Sequence, residues 1–439
     1  MTTIKILYKD IPGRNLVSSA DGVRIWNRNI RAIDQVHTNS LLPILDLLGL
    51  DYVFSKDADA VPIIDVGSLD PSSEKFTAIC DNAANTYKKF ILCTTQEPWQ
   101  WHHVEQLLKK YHNIFLLDSS TPLEDNGIFH ERYGNFPTMI CRMLSPQLHI
   151  TASCGNDLTY QHQRKKYTCL LARWRVEKHL LFSMLSYYNL LNDGLVTYRP
   201  LLKSDEKLFI KPEQTSKEKI NEFKASIHFI LKNTPADFVR YAVNGIIDFP
   251  VLKLNNDVHF DECQFSAPDD SNKNPSPISW HDPVIRAQPK YLFEESYFSV
   301  IGESLSNIMF NENNQPINMR AYVSEKSTVP ITNGHPWLVL GEPTFYRTMQ
   351  QYGFEPHDEL FDLSYDDDLN FSNRLYAIKQ NLESIDEKFL SSNLRNFEST
   401  THKKIRHNRH NVFHTNSKMW KELRKNMLSI FDRFRDINV

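Results

Sequence analysis

A Glu-Lys pair opens the stretch "SEKSTVPITNGHPWLVLG", which combines residue types that suit a phosphate site. Ser324 is placed to cap a helix whose first turn carries Glu325 and Lys326. A helix N-terminus offers free N–H groups and a positive dipole end, and a lysine adds a compact charge for a diphosphate. Gly334 would end this helix, and the following strand closes at Gly341, where backbone can approach a ligand. The stretch predicts an anion site; the alternative is a helix with a solvated ion pair.

Three further polar residues follow predicted strands, where α/β proteins bind ligands. Arg173 and Arg175 leave the strand in "KKYTCLLARWRVEKH" and precede a helix, so their guanidinium groups could grip phosphate oxygens in pairs. The alternative is a surface arginine, or one paired with Glu177. Glu303 follows the strand in "ESYFSVIGES" and suits the two hydroxyls of a ribose. A surface acidic residue is the alternative there.

A carboxylate also follows a strand in the first part of the chain. Glu97 in "QEPW" comes after "KKFILCTT", and Pro98 fits the first turn of the next helix. A carboxylate held ionised at a helix N-terminus could act as a general base. A plain helix-capping carboxylate is the alternative.

The elements that must position these residues alternate between strands and helices. "KKFILC", the helical "QWHHVEQLLKKYHN" and "NIFLLD" predict a parallel βαβ unit, and the pattern restarts near residue 165. We expect an α/β fold with an N-terminal domain over residues 1–163 and a second over 164–385, which carries a loop insertion at 264–290. Residues 386–439 form a basic segment and a helix that packs back on the body.

Three stretches in the C-terminal part complete this interpretation. "DLSYDDD" is interpreted as an acidic loop, and residues 373–390 as one long helix. The tail "THKKIRHNRHNVFH" contains four histidines, but its lysines and arginines would repel a metal ion. We therefore interpret it as a solvated or polyanion-facing segment and predict no metal site.

Composition and missing motifs exclude several classes. With 439 residues the chain is long enough for two domains, and a net charge of −3 argues against a surface that is basic all over. The six cysteines include no CxxC pair, which favours buried reduced thiols. P-loop, GxGxxG, GxSxG and HExxH motifs are absent. No stretch is typical of a signal peptide or membrane span, so we expect a soluble, cytoplasmic protein.

The stretch "YVSEKSTVPITNGHPWLVLG" resembles the donor-binding segment of the α-1,3-fucosyltransferase family, in which Tyr-x-Ser-Glu-Lys opens a helix and a strand ending in Gly follows. Glu303 upstream fits the same layout. The longer run to "FDLSYDDD" is more similar to uncharacterised glycosyltransferase-like proteins of tailed phages. The resemblance covers roughly residues 165–380 and departs from fucosyltransferases at "STVPI", where they have a longer apolar helix.

The resemblance implies a GT-B-like fold of two Rossmann-like domains facing a cleft, and an inverting transfer that requires no metal or other cofactor. It implies that Lys326 binds the diphosphate of a nucleotide-sugar and that Glu325 contacts the donor. Arg173, with Arg175 as its competitor, would be a second diphosphate ligand, and Glu97 would be the catalytic base. The acceptor would be a glycan or a hydroxymethylated base in DNA, and the location the host cytoplasm if the protein is phage-encoded. The alternative is a non-catalytic nucleotide-binding or interaction module with this fold.

Overall fold

In the computed structural model, the described part of the chain divides into two compact units. The first contains the described residues of Met1–Ser145 and His414–Val439 together with Val323, and the second those of Pro146–Ile308 and Ser324–Phe413. The predicted C-terminal segment 386–439 is thus divided between the units. No helix among the described residues is long and apolar enough to span a membrane. The structure describes residues 4–10, 45, 48, 50–54, 60–66, 71–94, 101–118, 131–135, 165–171, 175–198, 217–250, 252, 291–303, 323, 325–414 and 416–436.

The first unit is built on a six-stranded parallel sheet with the strand order β2-β1-β3-β4-β5-β6. Its central strands are buried along their whole length, as parallel strands covered on both faces must be. The predicted βαβ unit is confirmed as β4, α2 and β5. The elements are β1 (Ile4–Asp10), β2 (Tyr52–Phe54), β3 (Val61–Asp65), α1 (Glu74–Thr86), β4 (Phe90–Cys93), α2 (Trp101–Lys110), β5 (Ile114–Asp118) and β6 (Tyr133–Asn135).

The last helix of the chain, α12 (Lys418–Asp436), belongs to this first unit. Its buried stripe includes Trp420 and Phe434. Lys89 donates to the carbonyl oxygens of Phe434 and Arg435, both at 2.8 Å, and so neutralises the negative end of this helix. Arg132 does the same for α2. Its guanidinium donates to the carbonyl oxygens of Leu108, Tyr111 and His112 at 2.6–2.8 Å.

The second unit is built on a four-stranded parallel sheet with the order β10-β9-β7-β8. The chain therefore passes from β7 to β8 on one side and to β9 on the other, so the sheet reverses its winding direction between β7 and β9. The elements up to β10 are β7 (Lys165–Leu171), α3 (Val176–Tyr187), β8 (Gly194–Tyr198), α4 (Lys217–Ile230), α5 (Ala236–Asp248), α6 (Tyr291–Glu294), β9 (Ser296–Gly302), α7 (Glu325–Thr332) and β10 (Trp337–Leu340). The helices that follow are α8 (Phe345–Gln351), α9 (Phe371–Ser384), α10 (Glu387–Arg395) and α11 (Thr400–Phe413).

Both units confirm the α/β class with parallel sheets, which is compatible with a Rossmann-like fold; the GT-B assignment stays a prediction. Cys93 and Cys169 are buried in strands, as expected. The predicted loop insertion at 264–290 lies outside the described residues.

A buried histidine joins three elements of the second unit. His179 of α3 donates from Nε2 to the Ala242 carbonyl oxygen of α5 at 2.8 Å. Its Nδ1 accepts from the Tyr198 hydroxyl of β8 at 2.6 Å. Burial lowers the pKa of His179 to about 4, against a weaker opposing effect of the Ala242 carbonyl. The neutral ring with one donor and one acceptor therefore satisfies both partners at neutral pH.

Two tyrosines cover the outer edge of β10. The Val339 N–H donates to the Tyr346 hydroxyl, and the Tyr365 hydroxyl donates to the Val339 carbonyl oxygen, both at 2.8 Å. The pair thus supplies the hydrogen bonds that a further strand would make there. Tyr346 also stacks on Trp337 with ring centroids 5.1 Å apart.

For the C-terminal half one expectation is wrong, and two others hold only in part. The predicted helix 373–390 is two helices, α9 and α10, because Asp386 caps a new helix start by accepting from the Phe389 N–H. The acidic loop contains a 3₁₀ turn, Ser364–Asp367, in which Asp366 accepts from the N–H groups of Tyr346 and Arg347 and caps α8. Burial raises the pKa of Asp366 to about 6, while the two N–H groups oppose that rise.

The expectation of a solvated or polyanion-facing tail holds for only one side of the segment. The segment forms α11, which packs with a buried side that includes His402, Ile405, Asn408 and Val412. The basic and apolar residues of this segment thus alternate with the spacing of an amphipathic helix. The high density of charge hid this spacing in the sequence. No group of three His, Cys, Asp or Glu side chains in the described part of the chain could hold a metal ion.

Candidate functional site

The winding reversal between β7 and β9 marks where an open α/β sheet binds ligands, namely outside the carboxyl ends of those two strands. The predicted donor ligands follow these strands. Arg175 occupies the N-cap position of α3 after β7, and Glu303 comes directly after β9. Arg173, which is nearer the end of β7, lies outside the described residues. The topology thus brings Arg175 and Glu303 to the same end of the sheet.

Glu303 is fully buried, so the alternative of a surface acidic residue is wrong. Its backbone N–H donates to the Leu340 carbonyl oxygen at 3.1 Å, which continues the β9–β10 pairing by one residue. Its carboxylate accepts a hydrogen bond from the Ser327 hydroxyl. A buried carboxylate requires such partners because its desolvation is otherwise costly.

Ser327 lies in the first turn of α7 and is itself buried. The hydrogen bond from Ser327 to Glu303 therefore ties the start of α7 to the end of β9 at the winding reversal. Sequence reasoning did not select Ser327. No local pattern marks it, because its partner lies 24 residues away in the chain.

The helix start that carries the predicted phosphate ligands is confirmed. Helix α7 begins at Glu325, and Gly334, with φ +71°, ends its last turn. Lys326 is half-buried in the first turn. Ser324 and the side chain of Glu325 lie outside the described residues, so their predicted roles stay predictions. Pro330 lies within the helix and lacks the N–H that would bond to the Lys326 carbonyl, which limits the helix to a short segment.

His335 locks the turn between α7 and β10. Its Nε2 donates to the Ser296 carbonyl oxygen at 3.0 Å, and its Nδ1 accepts from the Ser299 hydroxyl at 2.8 Å. Burial lowers the pKa of His335 to about 3, with the Ser296 carbonyl opposing. The ring is therefore neutral and holds β9 against the start of β10. The His-Pro step of the motif is structural in this fold.

Lys178 is a second cation near the carboxyl end of β9 that sequence reasoning missed. It lies in the first turn of α3 and is buried. A Cβ added to Gly302 would lie 3.5 Å from Cγ of Lys178, so the lysine stem crosses the last residue of β9. Burial raises the pKa of the neighbouring Glu177, and the charges of Arg175 and Lys178 oppose that rise. Basic charge therefore accumulates at the start of α3.

The packing of the second unit explains why position 341 is a glycine, without any need for a ligand. A Cβ at this position would come within 3.0 Å of the Phe345 ring, so the glycine permits α8 to pack against the end of β10. Its predicted approach to a ligand stays a prediction. The next residue, Glu342, is buried and acts electrostatically on Arg374 of α9.

The Arg374 guanidinium lies near the carboxyl end of β10 and stabilises it. It is buried and donates to the Asp368 carbonyl oxygen at 2.6 Å. Burial lowers its pKa to about 10, while Glu342, Asp368 and Asp366 favour the charged form. The electrostatic interaction of Glu342, which follows β10, with Arg374 of α9 therefore supports the loop after β10.

Comparisons with protein-family models, with curated proteins and with solved structures found no match.

The predicted catalytic base belongs to the first unit. Its strand β4 ends at Cys93 and α2 begins at Trp101, and Glu97 between them lies outside the described residues. A buried carboxylate that is described at the same end of this sheet is Asp118, the last residue of β5. It accepts from the Tyr133 hydroxyl at 2.7 Å. Asp118 is thus fixed by its neighbours, and sequence reasoning did not select it.

Proposed function

We propose that this chain is a glycosyltransferase that moves a sugar from a nucleotide-sugar donor to an acceptor hydroxyl. The observation that carries the proposal is the Ser327–Glu303 hydrogen bond. It joins the strand end at the winding reversal to the start of the helix that carries Lys326. A nucleotide requires such a helix start, since its diphosphate needs N–H donors and positive charge.

In this proposal the second unit binds the donor. Lys326, Arg173 or Arg175, and the N–H groups at the start of α7 stabilise the negative charge that develops on the departing nucleoside diphosphate. Such fixed donors act without a metal ion, in accord with the resemblance to inverting, metal-independent enzymes. Glu97 takes the proton of the acceptor hydroxyl as that oxygen attacks the anomeric carbon. The acceptor hydroxyl is on a glycan or on a hydroxymethylated base in DNA.

A thermal-shift panel of GDP-, UDP-, ADP- and CMP-linked sugars tests the donor site, because a ligand that binds only the native state raises the melting temperature. One donor should stabilise the wild type, and Lys326→Ala should lose that shift. Lys388→Ala is the matched control, because Glu387 and Lys388 open α10 as Glu325 and Lys326 open α7. Loss of the shift in both variants, or in neither, would contradict the assignment of Lys326.

The second candidate, a non-catalytic nucleotide-binding module, makes a different prediction. It should bind the same nucleotide but leave the sugar attached. Slow release of free sugar by the wild type, abolished in Lys326→Ala and in Glu97→Gln, would favour the enzyme. A donor that binds tightly and survives prolonged incubation with candidate acceptors would favour the module.

A further inference from the structure

Helix α11 is strongly basic. Its sequence "TTHKKIRHNRHNVF" contains seven Lys, Arg or His residues and no Asp or Glu, so its outer surface can carry only positive or neutral charge. The proposed transfer does not use any of these residues.

The inner side of α11 is fixed to the second unit by two buried amides. The Asn408 side chain accepts from the Glu355 N–H at 2.7 Å and donates to the Glu355 carbonyl oxygen at 2.8 Å. Asn411 donates to the Tyr352 carbonyl oxygen at 2.8 Å. These bonds fix the rotation of the helix about its axis, because a turned helix would bury basic residues instead of the amides.

One of the lysines points to this inner side. Lys404 donates to the Pro356 carbonyl oxygen and to the Glu359 carboxylate, both at 2.7 Å, and pairs with Asp358. Lys404 therefore helps to hold α11 against the rest of the second unit.

The outer side presents a row of exposed basic residues with helical spacing. Lys403, Arg406, His407 and His410 are all exposed, and the row extends over about 10 Å at 1.5 Å per residue. Lys403 lies 3.7 Å from Glu398, and both side chains are largely exposed. His407 lies 3.8 Å from Glu355 and bonds through Nε2 to the Gly353 carbonyl oxygen at 2.8 Å. The long, solvated ion pair of Lys403 with Glu398 is weak, so a phosphate can displace this carboxylate.

We propose that this row, Lys403, Arg406, His407 and His410, docks on the phosphate backbone of duplex DNA. A row that contains the cations Lys403 and Arg406 on one side of a rigid helix matches a polymer of phosphates better than it matches a single phosphate group. A membrane surface is a poorer fit because the apolar residues Ile405 and Val412 face the interior of the unit, where they cannot insert into lipid. This inference deepens the proposed function. It rests on that proposal only in taking DNA as the molecule that carries the acceptor hydroxyl.

The test is the affinity for a duplex oligonucleotide, measured by fluorescence anisotropy between about 50 and 200 mM salt. The double variant Lys403→Glu/Arg406→Glu should bind at least about tenfold more weakly at the low-salt end. The slope of log affinity against log salt should become shallower by roughly 2, since each lost phosphate contact removes about 0.9. The milder Lys403→Gln/Arg406→Gln should show the same change in slope.

The matched control is Lys421→Glu/Lys425→Glu, which makes the same change of net charge at exposed positions of α12. It should keep most of the wild-type affinity. Absence of DNA binding by the wild type, an equal loss in the control, or an unchanged salt slope in the Lys403/Arg406 variants would overturn the proposal. Equal or tighter binding to heparin than to DNA would also overturn it in favour of a different polyanion.

The result can be separated from that of the donor site. Lys326→Ala should bind DNA as the wild type does, and Lys403→Glu/Arg406→Glu should keep the thermal shift with the nucleotide-sugar. A failure of DNA binding with an intact nucleotide shift would remove the docking surface alone. A failure of the nucleotide shift with intact DNA binding would remove the donor site alone.

Discussion

The Ser327 hydroxyl donates a hydrogen bond to the Glu303 carboxylate, and both side chains are buried. The two residues come from different elements, the first turn of α7 and the end of β9. Their contact therefore holds the helix start in place at the end of the sheet. A ligand that uses the N–H groups of α7 would depend on this contact for its geometry.

Ser327→Ala should lower the free energy of unfolding by about 1–3 kcal/mol, because the buried Glu303 carboxyl loses its hydrogen-bond partner. It should also weaken the affinity for the nucleotide that stabilises the wild type. Urea unfolding and nucleotide titration measure the two effects. Ser226→Ala is the control, because the Ser226 hydroxyl bonds to the Glu222 carbonyl oxygen of its own exposed helix turn. Equal losses in both variants would mean that Ser327 has no special role.

Acid should destabilise the protein between pH 6.5 and 4.5 through its buried histidines. Burial lowers the pKa of His179 to about 4 and that of His335 to about 3, so both are neutral in the native state throughout this range. The unfolded chain binds a proton at each of them below about pH 6.5. Their stabilisation is therefore fully present above pH 6.5 and is lost as the pH falls, at about 1.4 kcal/mol per pH unit for each histidine.

Asp366 should oppose this loss. Burial raises its pKa to about 6, so below pH 6 the native state binds a proton that the unfolded chain takes up only near pH 4. Its contribution falls as the pH rises through 6, which is the sign opposite to that of the histidines. Urea unfolding at several pH values should show a net decline on acidification in the wild type and a steeper one in Asp366→Asn. A variant with the same slope as the wild type would contradict the assignment.

Lys89→Met should destabilise the first unit by about 0.5–2 kcal/mol. The methionine keeps an apolar stem against Phe434, whose ring centroid lies 5.0 Å from the ammonium, but it removes the charge from the end of α12. Lys88→Met is the matched control, because Lys88 is the exposed neighbour. Thermal unfolding of the two variants should differ, and equal melting temperatures would show that Lys89 contributes nothing as a cap.

Local elements were predictable from the sequence because their signals lie within a few residues. The apolar runs of β4 and β5 and the helical spacing of α2 predicted a βαβ unit. The glycine with positive φ at position 334 ended α7 as expected, and the apolar run after it is β10. The same signals failed at Asp386, where one cap divides a continuous pattern into two helices.

The partners of buried polar groups were decided only by the tertiary structure. Nothing local indicates that Glu303 meets Ser327, 24 residues away, or that Lys89 caps a helix end 345 residues further along the chain. The basic composition of α11 suggested solvation, and only its packing showed which residues face outward. The sequence by itself determined where strands and helices form, since periodicity and turns are local. The three-dimensional arrangement decided which charges are buried together, because that depends on which elements the sheets bring side by side.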